Sequence, residues 1–266
     1  MSRRRGVAAL PRWAYLPAGL AMCFLGLPLV GILVRAPWRR LGDELFSGTV
    51  AEALRLSVLC ATAATVASAL LGVPLGILLA RADFPGRRVL RALVTVPLVL
   101  PPVVGGVALF LAFGRKGLLG PWLESWFGVT LPFSTAGVVV AETFVAMPLL
   151  VVTVEGAVRA VDTRYAEVAG TLGASPSKTL WQVTLPLARP GLIAGAVLCW
   201  ARALGEFGAT ITFAGSFPGR TQTMPLAVYE ALEHAPEGAI ALSLLLLAVS
   251  VGVLVVLRDR WIGGSA

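Results

Sequence analysis

Six long apolar runs constrain the fold of this chain more than any other feature of its sequence. Each run has about 20 residues or more, the length that an α-helix needs to cross the hydrocarbon core of a bilayer. Hydrophobic residues make up 57% of the 266 residues and charged residues only 14%, whereas charged residues form roughly 25% of a typical soluble domain. We therefore predict an all-α integral membrane protein. Its single transmembrane domain covers residues 1–266, with spans at about 13–34, 54–80, 89–113, 135–154, 191–213 and 239–257.

Arginines at the ends of the runs predict the orientation in the membrane. Arg3, Arg4 and Arg5 precede the first span, and Arg87 and Arg88 lie in the second connection. Because cytoplasmic loops carry an excess of Lys and Arg, both places are predicted to face the cytoplasm. Six crossings then put both termini and the fourth connection on the cytoplasmic side. The net charge of +8 at pH 7 is explained by these span ends, so nucleic acid is not expected as a partner.

The fourth connection is a polar segment that carries helix start and stop signals. Asp162 or Thr163 can cap a short helix that ends at Gly173, because glycine readily adopts the left-handed conformation of a helix C-terminus. Ser175 and Pro176 are typical of the N-cap and the first position of a second helix. Two short helices that meet at small residues allow a partner protein to approach the backbone closely. We predict that this segment is a docking element.

The same segment resembles the EAA loop of ABC-importer permeases. The pattern of that loop is Glu-Ala-Ala, three residues, Gly, nine residues, Ile, one residue and Leu-Pro. In this chain Glu167-Val168-Ala169, Gly173, Val183 and Leu185-Pro186 have the same spacing. The resemblance implies a cytoplasmic coupling loop at residues 162–187 that binds an ATPase, and Pro186 is predicted to end its second helix. The implied coupling residues are Glu167, Ala169, Gly173, Ala174, Ser175, Pro176, Leu185 and Pro186.

The chain has no motif for ATP hydrolysis or other catalysis. A phosphate-binding loop ends in Gly-Lys-Ser/Thr, but Lys116 follows Arg115 and Lys178 follows Ser177. The single histidine, His234, is expected in a solvated outer loop, and the three cysteines inside apolar runs are expected to be core residues. We predict no catalytic residue, no metal and no cofactor in this chain. MgATP is then expected on a separate ATPase subunit.

The third run contains proline and glycine at positions that break a helix. Pro97, Pro101 and Pro102 each remove a backbone donor, and Gly105 and Gly106 follow them. Such breaks persist at membrane depth where protein or a watery cavity satisfies the freed carbonyl groups. The pattern favours a wall of a translocation path. A helix kinked only for packing is the alternative, since Gly and Pro are common in membrane helices.

Ionisable and hydroxyl side chains mark the fifth run. Arg202 and Glu206 are four residues apart, and charged groups at membrane depth normally face a bundle interior or a cavity. The alternative is an ion pair that satisfies itself on one helix face. Glu142 in the fourth run is a further candidate. The predicted path residues are Pro101, Pro102, Gly105, Arg202, Glu206, Thr210 and Thr212.

Three more segments sharpen the resemblance. Over most of residues 50–257 the chain is similar to the molybdate permeases, which are relatives of the sulfate/thiosulfate permeases. The segments that carry this similarity are PLVLPPVVGG with FGRKGLLG, ARALGEFGATITFAG, and PGRTQTMPLAVYEAL. The resemblance implies a type I ABC importer permease fold in the bacterial inner membrane. It implies a homodimer of six-helix permeases, two cytoplasmic ABC ATPase subunits and an extracytoplasmic molybdate-binding protein. The implied activity is ATP-driven molybdate import by alternating access.

Two other functions remain open from the sequence. The first is a permease for another oxyanion, such as sulfate, thiosulfate or tungstate. The second is an ion-gradient-driven secondary transporter, a class in which broken helices occur in pairs within inverted repeats. The Pro/Gly pattern of the third run has no convincing second copy, which disfavours the second function.

Overall fold

The computed structural model describes residues 12–39, 41–42 and 48–262, and this part of the chain contains helices and connections without β-strands. The predicted all-α class is confirmed. Arg3, Arg4 and Arg5, on which the predicted orientation partly rests, lie outside the described residues. After a 3-10 turn at Arg12–Ala14, the helices are α1 (Tyr15–Arg35), α2 (Gly48–Arg81), α3 (Arg87–Val99), α4 (Pro102–Phe113), α5 (Gly120–Phe127), α6 (Thr135–Ala160), α7 (Thr163–Thr171), α8 (Pro176–Leu204), α9 (Gly208–Ala214), α10 (Met224–His234) and α11 (Pro236–Ile262).

Five helices among the described residues are long and apolar enough to cross a bilayer. They are α1, α2, α6, α8 and the Pro236–Val253 part of α11. Helices α3 and α4 form a sixth crossing if they are counted as one span, and they are bent by 118° at the break between them. Leu100 and Pro101 at this break are extended, with ψ of 132° each, because a residue that precedes proline is pushed out of the helical region. The third span is therefore broken where the sequence places its prolines.

The fifth span differs in both bounds from the prediction of about 191–213. Helix α8 begins at Pro176 and ends at Leu204, and the chain then breaks before α9 begins at Gly208. The prediction that Pro186 ends the second helix of the coupling loop is wrong. A π-helical turn at Leu180–Thr184 precedes this proline, and Leu185 N–H donates to Leu180 O. The widened turn relieves the clash that proline makes with the carbonyl four residues earlier in a regular α-helix.

Helix α6 is the central element of the bundle and packs against α2, α3, α8 and α9. Small side chains such as Ala61 and Ala64 on α2 and Ala203 on α8 meet Leu150 and Val154 of α6 in the main buried core. Small residues let helix backbones approach closely, and close packing is the main force that joins helices in a bilayer. The fourth span, α6, is thus held on several sides.

Replacing Gly76 on α2 by alanine should lower the melting temperature of the protein. A Cβ at this position would lie 2.8 Å from Val154 Cγ1 and 3.0 Å from Val151 O. Overpacking costs about 1–3 kcal/mol, which outweighs the ~1 kcal/mol by which alanine favours a helix over glycine. Gly156→Ala is the control, because a Cβ there would meet nothing within 4 Å. Equal melting temperatures for Gly76→Ala and the unmodified chain in detergent would contradict this packing of α2 on α6.

Candidate functional site

The coupling loop (residues 162–187) forms a helical corner with caps where the sequence predicts them. Asp162 Oδ1 accepts a hydrogen bond from Arg164 N–H at 2.9 Å and so caps α7. Gly173 follows the end of α7 with φ of +80°, a conformation that favours glycine. Ser175 Oγ accepts from Lys178 N–H at 3.3 Å, which caps α8. These bonds satisfy backbone donors at both helix starts, so the shape of the corner is fixed by local interactions.

Large apolar side chains on the coupling loop are exposed, a feature that the sequence analysis missed. Leu172 is 82% exposed and Trp181 69% exposed, and Tyr165 and Val168 are more than half exposed. The predicted coupling residue Glu167 is also exposed beside them. Exposed apolar groups of this size in a polar segment mark a protein interaction surface. Large apolar residues in an otherwise polar connection are visible in the sequence, and this pattern could have predicted the exposed apolar surface.

A cavity of about 440 Å³ separates the coupling loop from the end of α2. The cavity is lined by Ala174 and Pro176, which are two of the predicted coupling residues. Ile77 and Arg81 of α2 form part of the opposite wall. Gly173 and Ser175 at the corner of the loop are exposed, and Ala174 is partly exposed.

Charged side chains join α2, α3 and α6 near the point where the coupling loop begins. Glu155 is buried on α6 and binds Arg91 of α3 at 2.5 Å and Arg159 at 2.7 Å. Arg81 at the end of α2 donates to Val161 O, one residue before the cap of α7, at 3.3 Å. These charge-assisted hydrogen bonds join α3 to α6, and α2 to the residue that precedes the coupling loop.

The breaks in the third and fifth spans lie side by side. A Cβ at Gly208 would lie 2.4 Å from Pro102 Cβ, and a Cβ at Gly106 would lie 2.5 Å from Thr212 Cβ. Helices α4 and α9 therefore pack with almost no side chain between their backbones. This contact joins two segments that are about 100 residues apart in the sequence.

Four of the predicted path residues come together at these breaks. A cavity of about 270 Å³, which we call the break cavity, is lined by Pro101, Pro102, Gly105 and Arg202, with Phe144 and Val145 of α6. The freed backbone groups of the third span thus face a concave space that holds one arginine. This is the environment in which broken membrane helices persist.

Arg202 and Glu206 form an ion pair that links the end of α8 to the start of α9. Arg202 Nη1 lies 2.5 Å from Glu206 Oε2, and the exposed fractions of the two side chains are 33% and 1%. Glu206 Oε1 accepts from Ala209 N–H at 2.9 Å and so caps α9. The glutamate lies in the break and not on a continuous helix, which corrects the predicted placement. The arginine is the partner that reaches the break cavity.

The other predicted residues lie close by but do not line the break cavity. Thr212 Oγ1 donates to Gly208 O at 2.8 Å, and Thr210 is fully buried on α9. Among the described residues, Thr210 Oγ1 and Glu142 Oε2 are buried without a hydrogen-bond partner. Glu142 is close enough to Glu206 for an electrostatic interaction. Polar groups therefore continue into the bundle beside the cavity.

Other features with possible chemistry are scattered. His234 is the last residue of α10 and not part of a loop, which corrects the predicted placement, and its Nδ1 lies 3.0 Å from Glu230 O. Over residues 12–39, 41–42 and 48–262, no three His, Cys, Asp or Glu side chains are grouped so that they could hold a metal ion.

The chain resembles known transport proteins over most of its length. The family model for the binding-protein-dependent transport system inner membrane component matches residues 72–263. The molybdenum transport system permease protein ModB of Mycobacterium tuberculosis is 52% identical over 241 residues, which are 91% of each chain. ModB of Escherichia coli is 38% identical over 211 residues, 79% of this chain and 92% of that protein. The sulfate transport system permease protein CysW of Synechococcus elongatus is 35% identical over 227 residues, 81% and 79% of the two chains.

Solved structures share the fold at low sequence identity. A bacterial ABC transporter involved in the import of the acidic polysaccharide alginate matches with a TM-score of 0.74, covering 96% of each chain at 18% identity. The MetNI methionine ABC transporter in an inward-facing conformation matches with a TM-score of 0.63, covering 90% of this chain and 99% of that one, also at 18% identity. At this identity the likeness shows the fold alone, which is that of type I ABC importer permeases.

Proposed function

This chain belongs to the family of inner membrane components of binding-protein-dependent transport systems, and we propose that it is the membrane-spanning subunit of an ATP-driven molybdate importer. The observation that carries the proposal is the 52% identity to mycobacterial ModB over 91% of both chains. The identity to the sulfate permease CysW is 35%. Molybdate is therefore the favoured substrate, and sulfate, thiosulfate and tungstate are the competitors.

Hydrolysis of ATP takes place on separate ABC ATPase subunits in this proposal. The coupling loop offers an ordered corner with exposed apolar side chains, which suits insertion of a helix into a groove of the ATPase. Two copies of this chain with two ATPases form the importer, and an extracytoplasmic molybdate-binding protein supplies the anion. MgATP binds on the ATPases.

The proposed orientation places both termini and the coupling loop in the cytoplasm. The connection between α4 and α6 and the one between α9 and α10 then lie on the outer side. Closure of the ATPases moves the coupling loop, and the Arg81 hydrogen bond and the Glu155 ion pairs near its start pass that movement to α2, α3 and α6. Alternating access follows when the break cavity opens first to one side and then to the other. A weak polar site such as Arg202 is sufficient because the binding protein selects the anion.

Reconstitution tests this proposal directly. Proteoliposomes that contain the permease, its ATPase and the molybdate-binding protein should take up molybdate, with ATP hydrolysis stimulated by the loaded binding protein. The stimulation is expected because two distant sites are coupled through one two-state bundle. Proteoliposomes that contain this chain alone are the control and should show neither hydrolysis nor flux. Molybdate flux driven by a proton or sodium gradient without the ATPase would instead identify a secondary transporter.

A competition assay identifies the anion that the importer transports. Uptake of labelled molybdate by the complete importer should be displaced by unlabelled molybdate at lower concentration than by sulfate. Tungstate, molybdate and sulfate are all tetrahedral dianions, but tungstate is nearly equal to molybdate in size and sulfate is smaller, so tungstate should compete more strongly than sulfate. Uptake of labelled sulfate in preference to molybdate would assign the chain to sulfate transport.

A further inference from the structure

A basic cavity of about 740 Å³ lies between the connection that follows α4 and the one that follows α9. Its lining residues are Phe110, Arg115, Lys116, Thr130, Pro132, Phe133 and Arg220. We propose that this basic cavity captures the tetrahedral oxyanion after the binding protein releases it and before the anion reaches Arg202. The inference rests on the proposed function and adds a binding site to it.

The basic cavity and the coupling loop are at opposite ends of the bundle. Thr135, the first residue of α6, donates from Oγ1 to Arg220 O at the cavity, at 2.8 Å. Ala160, the last residue of α6, precedes α7 of the coupling loop. A helix of 26 residues is about 39 Å long. The basic cavity is thus on the extracytoplasmic side, where the binding protein delivers its anion.

The charge of the basic cavity is positive and largely uncompensated. Three lining side chains are cationic and none is acidic. Arg115 Nε lies 3.9 Å from Glu124 Oε1 and both side chains are exposed, so this pair contributes little. In the described part of the chain, neither Lys116 nor Arg220 forms an ion pair. A concave surface with one sign of charge concentrates counter-ions, here anions.

The chemistry of the three cations suits a small oxyanion. Arg115 and Arg220 present planar guanidinium groups that bind two oxygens of one anion, and Lys116 adds a compact charge. They come from two connections and line one concave space, so they can surround a small anion on more than one side. The volume is large enough for an anion that keeps part of its hydration shell.

Aromatic packing holds one wall of the basic cavity in a fixed shape. Phe133 has φ of +57°, which is rare for a bulky residue and persists only where the surrounding structure imposes it. Its ring packs edge-on against Phe110 at 5.9 Å and against Phe217 at 6.2 Å. Phe110 in turn packs against Phe213 of α9 at 6.1 Å. The wall is therefore built on α4 and α9.

Helix α4 connects the basic cavity with the break cavity. Pro102 begins α4 and lines the break cavity beside Arg202. Phe110, near the other end of α4, lines the basic cavity. These two residues are eight positions apart, a separation of about 12 Å along a helix. Residues that line the two cavities are thus little more than two helical turns apart on α4, which makes the basic cavity a suitable station before the break.

Direct binding tests the basic cavity. The permease–ATPase complex in phosphatidylcholine nanodiscs is dialysed against labelled molybdate at low ionic strength, with the binding protein absent. The triple variant Arg115→Gln/Lys116→Gln/Arg220→Gln should bind molybdate about tenfold more weakly, and added salt should reduce the difference. Arg55→Gln is the matched control because Arg55 is an exposed arginine near the start of α2, outside the cavity lining. It should bind molybdate as the unmodified complex does.

Three results would overturn the inference. The first is equal molybdate binding by the triple variant and the unmodified complex. The second is unchanged molybdate binding by the triple variant together with its failure to co-purify the binding protein when that protein is added separately, which would make the cavity a protein docking surface. The third is loss of molybdate binding when phosphatidylglycerol is added to the nanodiscs, which would assign the cavity to a lipid headgroup. A different outcome separates the site from the proposed function. If molybdate binding depends on the three cations but the reconstituted importer moves no molybdate, the oxyanion site is retained and the proposed function is rejected.

Discussion

Permease that carries Gly173→Leu should assemble poorly with its ATPase and should support no measurable molybdate uptake. Gly173 has φ of +80°, and a left-handed conformation costs a residue with a Cβ about 1–2 kcal/mol. A free-energy difference of this size shifts the turn equilibrium by about tenfold. A Cβ at this position would meet nothing within 4 Å in the chain itself. The effect therefore arises from the changed turn and from contact with the partner, and not from disruption of the bundle.

Two further variants distinguish the effect of the changed turn from the effect of the added side chain. Gly173→Asn should retain most uptake, because asparagine tolerates the left-handed region better than other residues with a Cβ. Gly170→Leu adds the same bulk on α7, where a Cβ also meets nothing within 4 Å and φ is not positive. Co-purification of the ATPase and uptake are measured for all three. Normal co-purification together with normal uptake in Gly173→Leu would reject the assignment of the coupling loop.

Arg202→Ala should both destabilise the permease and abolish most uptake. The substitution leaves the Glu206 carboxylate, 1% exposed, with the backbone N–H of Ala209 as its remaining partner. Removal of one partner from a buried pair costs roughly 3–5 kcal/mol. Uptake should fall for a second reason, because the break cavity loses its only lining side chain with a positive charge.

A double variant separates the two effects of Arg202. In Arg202→Ala/Glu206→Gln the glutamine can still accept from Ala209 N–H and no charge is left unpaired, so the melting temperature should recover while uptake stays low. Arg189→Ala is the control, because Arg189 is an exposed arginine on the same helix. Melting temperature and molybdate uptake are measured for each. A stable double variant with normal transport would show that the ion pair only links α8 to α9.

Local sequence signals predicted the coupling loop well because its structure depends on local interactions. The side chains of Asp162 and Ser175 bond to backbone groups two and three residues away, and Gly173 adopts its turn without contacts from elsewhere. The bounds of the second helix were not predictable in the same way. Proline is a stop signal in a regular α-helix, and the π turn at Leu180–Thr184 removes the reason for the stop at Pro186.

The sequence by itself determined the class of the protein, the presence of breaks and the helix caps at Asp162 and Ser175. Long apolar runs require helices in a bilayer, and consecutive prolines at positions 101 and 102 cannot continue a helix. Only the tertiary structure decided that the two breaks meet and that Arg115 and Lys116 share a cavity with Arg220. The physical reason is that these groups are brought together by the packing of α4 and α9 around α6, and contacts over about 100 residues leave no periodic or local signal in a single sequence.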